Sequence, residues 1–89
     1  MLDEVITQMR QARQHLDQAA AMISQALAEL EQASRLIHLS LQGSADQAPT
    51  VAVRQTQQQL GNAHQGATAG KTAIDQTLAR WAGTGGPGN

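Results

Sequence analysis

Large apolar residues recur every seven positions through the first half of the chain: Leu2, Met9, Leu16, Ile23, Leu30 and Ile37. Three residues after each stands a smaller one: Val5, Ala12, Ala19, Ala26, Ala33 and Ser40. This is the a/d spacing of a helix that packs along a seam, with bulky a and small d positions. The outer rows are polar, one reading Asp3, Arg10, Asp17, Ser24, Glu31 and another Gln11, Gln18, Gln25, Gln32. The second half repeats the design, with Val53, Leu60, Ala67, Ile74 and Trp81 in the a row and Thr56, Ala63, Gly70 and Thr77 in the d row. Between the halves, Gly43 suits the left-handed position after a helix end and Pro49 the first turn of a new helix. The pattern predicts one domain over residues 1–82. Helix 1 spans about 3–42, a loop 43–47 and helix 2 about 48–82. Residues 83–89, Gly-Thr-Gly-Gly-Pro-Gly-Asn, read as a flexible Gly-rich tail.

Folding the chain back at 46–47 sets Ile37 opposite Thr56, Leu30 opposite Ala63, Ile23 opposite Gly70 and Leu16 opposite Thr77. In the other direction it sets Ala33 opposite Leu60, Ala19 opposite Ile74 and Ala12 opposite Trp81. Nearly every layer then pairs a large residue with a small one, and small seam residues let helices approach closely. The expected fold is all-α. It is an antiparallel two-helix hairpin, an alanine-rich close-packed coiled coil of roughly 50–60 Å, completed by association as a four-helix or larger bundle. Asp3 and Glu4 favour the first turn of helix 1, and Glu31 and Arg35 are spaced to pair.

A hairpin does not enclose a core. Ile6, Ala20, Leu27 and Leu41 lie one position past the d row, and Met22 and Leu36 lie on the other flank, so the apolar stripe is wider than one partner helix covers. In this register residues 2–9 run past the end of helix 2, leaving Leu2, Val5, Ile6 and Met9 without an opposing helix. Trp81 closes the last layer over Ala12, where it reads as core; the alternative is a recognition anchor, since Trp is enriched among interface hot spots. The expected interaction residues are therefore Leu2, Val5, Ile6, Met9, Met22, Leu27, Leu36 and Trp81. Gly61, Gly66 and Gly70 each cost helix 2 about 0.8–1 kcal/mol relative to Ala, so that helix needs packing.

Composition narrows the function. Seven acidic and six basic residues leave a formal charge of −1, without the basic face of a nucleic-acid binder. Trp81 is the only aromatic residue, so there is no base-stacking platform. Without Cys there is no disulfide, thiolate metal site or thiol nucleophile. No run reaches the roughly 20 apolar residues of a membrane span, and the acidic, amphipathic start is not a signal peptide. His15, His38 and His64 fall at three heights of the hairpin, too far apart to share a metal ion. Glu29 and Glu31 diverge, and Asp17 and Asp75 fall on outer faces, so no carboxylate pair is placed for acid–base work. Thr56 and Thr77 on the seam are expected to bond back to their own helix. No enzyme activity, cofactor, metal or small-molecule substrate is expected.

The triplet Trp81-Ala82-Gly83 and the paired helices resemble the small Trp-x-Gly helical-hairpin proteins of type VII secretion. In those the triplet lies between the helices, whereas here it closes the second one, and their C-terminal Tyr-containing export signal has no counterpart. The acidic start, the Ala/Gln heptads and the phrase SQALAELEQASRLIHLSLQGS are similar, over about residues 2–81, to N-terminal helical modules of actinobacterial polymorphic toxins of the deaminase type. That resemblance implies a non-catalytic targeting or adaptor subunit in a secretion or toxin system, partnered by itself or by another helical protein. It implies a protein cytoplasmic as made, or exported without a cleaved signal. The alternative is a self-assembling structural protein that builds a homo-oligomeric bundle or filament.

Overall fold

The computed structural model describes residues 2–84. Two helices account for nearly all of them: α1, Leu2–Ser40, and α2, Ala48–Thr84. They pack side by side and antiparallel, as an all-α hairpin 65 × 16 × 15 Å in extent. Both are Ala- and Gln-rich and free of interior Pro, and Asp3 and Glu4 occupy the first turn of α1. Most of the tail anticipated at 83–89 lies outside the described residues.

The reversal between the helices is built from backbone and short polar side chains. Gly43 adopts φ 82°, the left-handed region that favours glycine. The Ser44 N–H donates to the Leu41 carbonyl at 2.9 Å and closes a turn over 41–44. Ser44 Oγ accepts the Asp46 N–H at 3.1 Å, and Asp46 Oδ1 accepts the Ala48 N–H at 3.0 Å. The Gln47 carbonyl accepts the first intrahelical bond of α2, from Val51 N at 3.0 Å. Asp46 thus satisfies one of the N–H groups that a helix start leaves unpaired, and Pro49 removes another by having none.

The helices meet in a different register from the expected one. A Cβ built on Gly70 would lie 3.0 Å from Leu16 Cδ1, so Leu16, rather than Ile23, lies against Gly70. The shift is one heptad. Carried along two continuous helices, it brings Leu2 level with Thr84 and removes the expected overhang of residues 2–9. It also takes Trp81 off Ala12 and sets it level with Val5 and Ile6.

The seam is also rotated. Every a residue of α1 is half-buried, but so is every residue one position past the d row: Ile6, Arg13, Ala20, Leu27, Ser34 and Leu41. Val5, Ala12 and Ser40 of the d row are exposed. In α2 the residues Thr50, Gln57, His64, Lys71 and Leu78 are likewise half-buried. Ile6, Leu27 and Leu41 are larger than the alanines of the d row, so turning α1 toward the fifth heptad position removes more apolar surface from water. Most of the apolar stripe that one partner helix was not expected to cover is therefore the hairpin's own interface.

Candidate interaction surface

Ala67 is the only buried residue among those described, at 8 % exposure. Two helices shield only the line along which they touch, and every larger seam residue is covered on one side alone. The large apolar residues fall into two groups. Leu2, Ile6, Met9, Leu27 and Trp81 are half-buried in the hairpin. Val5, Met22 and Leu36 are exposed, Met22 at 63 % and Leu36 at 65 %. Leu39, at 61 %, and Val51 join them; neither stood out in the sequence. Leu39 could have, since it is an apolar residue in a row otherwise made of Glu4, Gln11, Gln18, Gln25 and Gln32.

Charge is concentrated along one edge of the seam. Arg13 Nε donates to Asp75 Oδ1 at 2.6 Å, and Arg13 Nη1 to Asp17 Oδ2 at 2.9 Å. Lys71 Nζ pairs with Asp17 Oδ1, so four side chains link the two helices. Asp17 and Asp75 therefore lie beside the seam, not on outer faces. The hydrogen bond from Lys71, reinforced by the charges of Lys71 and Arg13, holds the Asp17 carboxyl below the ordinary carboxylate range. Its bond to Asp75, together with both carboxylate charges, raises the Arg13 guanidinium further above its already high value. Glu31 and Arg35 pair at 2.8 Å along α1 as the spacing predicts.

The other edge of α1 carries the row Gln8, His15, Met22, Glu29 and Leu36, all exposed. Next to it run the d-row residues Val5, Ala12, Ala19, Ala26 and Ala33. In these two rows His15 and Glu29 are the only titratable side chains. The hairpin thus has a charged edge and a nearly neutral, alanine-lined edge from which Met22 and Leu36 project.

Near the loop end, Ser34, Arg35, His38, Leu39, Thr50 and Arg54 line an open groove of about 470 Å³. Ser34 and His38 share it without a hydrogen bond between them. His15 is exposed on α1, His64 is half-buried on α2, and His38 belongs to this groove. Among the described residues no group of three His, Asp or Glu side chains is placed to hold a metal ion. The Thr56 and Thr77 hydroxyls donate to the Ala52 and Ala73 carbonyls at 3.1 and 2.9 Å, the back-bonding expected of them. No described helix is long and apolar enough to cross a membrane.

Neither a protein-family model, nor a curated protein, nor a solved structure matches the chain.

Proposed function

We propose that the chain is a non-catalytic helical interaction module, a targeting or adaptor subunit of a secretion or polymorphic-toxin system. One observation carries the interaction reading. With Ala67 the only buried residue among those described, Met22, Leu36 and Leu39 are each left more than 60 % exposed on one helix, and chains of this size without a core ordinarily gain stability by association. The secretion or toxin assignment is supported by the sequence resemblance in the acidic start and the Ala/Gln heptads.

Light scattering on a size-exclusion column, with helicity recorded over a hundredfold concentration range, tests the first part. The expected result is helicity that rises with association. A fully helical monomer at micromolar concentration overturns the reading. The second part is tested by fusing the chain to a reporter enzyme in an actinobacterial host. Export or partner-dependent localisation of the reporter is expected, and uniform cytoplasmic retention speaks against a targeting role.

A further inference from the structure

We propose that the occupant of the neutral edge of α1 is a second copy of this chain, docked antiparallel about a two-fold axis at Met22. The proposal rests on the interaction-module reading and specifies its partner and geometry. Three observations meet at this residue.

The first is position. α1 spans Leu2–Ser40, and Met22 lies within one residue of its midpoint, so an axis there overlaps the helices over nearly their whole length. The second is polar complementarity. Two-fold pairing about Met22 sets His15 of one copy level with Glu29 of the other, twice, and sets Gln8 level with Leu36. The only titratable groups in the two rows thereby face a complementary partner. Sliding the register one heptad either way sets Met22 against His15 or against Glu29. Parallel pairing sets His15 against His15 and Glu29 against Glu29. Only the two-fold at Met22 keeps apolar with apolar at the centre and sets an imidazole, a hydrogen-bond donor, level with a carboxylate acceptor on either side.

The third is area. The chain exposes 6458 Å², whereas a compact monomer of its mass exposes about 5,000 Å². A rod of this shape keeps more of its surface in water than a compact monomer does, and a standard interface removes roughly 800 Å² of it per partner. Ala19 and Ala26 flank Met22 and allow the two α1 helices to approach closely. The α2 helices lie outside this contact, and the charged edge formed by Arg13, Asp17, Lys71 and Asp75 stays in water. Because the contact is isologous it closes at two copies and does not propagate into a filament.

The chain contains no Cys, so single cysteines report the geometry directly. Met22→Cys is expected to give a covalent dimer on mild oxidation or with a short bismaleimide. Leu36→Cys alone is expected to stay monomeric on a denaturing gel, because its symmetry mate is about 42 Å away at 1.5 Å per residue. A mixture of Gln8→Cys and Leu36→Cys should cross-link. Gln58→Cys, exposed on α2, serves as the unreactive control, and circular dichroism confirms that each variant is helical. Glu29→Lys should weaken association, and His15→Glu combined with Glu29→Lys should restore it. Cross-linking of Leu36→Cys to itself overturns the proposal in favour of parallel pairing. Association by light scattering without a Met22→Cys cross-link overturns this face and leaves the module reading standing. A fully helical monomer removes both.

Discussion

A methyl group at Gly70 would meet Leu16 Cδ1 at 3.0 Å, while one at Gly61 would meet nothing within 4 Å. The two glycines therefore answer different needs, and substitution separates them. Gly61→Ala is expected to raise stability by about 1 kcal/mol, the helix-propensity difference, read as a higher midpoint in urea. Gly70→Leu is expected to lower it by about 1–3 kcal/mol through overpacking against Leu16. Ala67, buried against α1, should respond to Ala67→Leu in the same direction, whereas Met22→Leu on the exposed row should leave the stability of the isolated hairpin unchanged. The back-bonded threonines were readable at this scale. Their hydroxyls have an acceptor four residues back wherever the helix continues, whatever lies across the seam.

The loop and the ion network decide how the two elements meet. Asp46→Ala removes the side-chain acceptor for the Ala48 N–H and is expected to cost about 0.5–2 kcal/mol, as losses of N-terminal helix caps do. Asp17 accounts for a pH dependence. Its carboxyl is held below its ordinary range, so its charged form is favoured by folding. That contribution is full above the pH at which the unfolded carboxyl titrates, and it fades as pH falls through the carboxylate range. Thermal melts from neutral pH down to about pH 3 should show this loss, and Asp17→Asn should flatten it. The same network explains the register. The expected register would have set Arg13 level with Arg80 and Asp17 level with Gln76. The observed one sets Arg13 beside Asp75 and Asp17 beside Lys71. Opposite charge on facing edges is visible in the sequence, but the large-against-small layering takes no account of it.

The whole molecule is a rod with a radius of gyration of 19.8 Å, where a compact chain of this length would have about 12 Å. Nearly all its apolar surface is covered from one side only. Leu2 and Met9 are half-buried within the hairpin and level with the last turns of α2, so Leu2→Glu with Met9→Glu should destabilise the hairpin itself, by about 1–3 kcal/mol. Had residues 2–9 overhung α2, the same pair would have weakened association and left the monomer intact. A urea titration of the double variant, run well below the association concentration, distinguishes the two: an unchanged midpoint would contradict the register described here.

The heptads of Leu, Ile and Ala, the Gly43–Pro49 break and the polar outer rows were enough to specify two helices, their approximate ends, the reversal between them and the Glu31–Arg35 pair. These are local properties, set by propensity, capping and neighbours within a turn or two. Register and rotation were not legible in the seam pattern alone. A seven-residue repeat maps onto itself when shifted by seven, so the layers were almost as well filled one heptad away. Only the tertiary structure, through the reversal at Gly43 and the cross-helix pairs of Arg13 and Asp17, selected one of these nearly equivalent alignments. It turned Ile6, Leu27 and Leu41 inward because they bury more apolar surface than the alanines beside them. Met22 and Leu36 were left outside because two helices can cover only one side of each other.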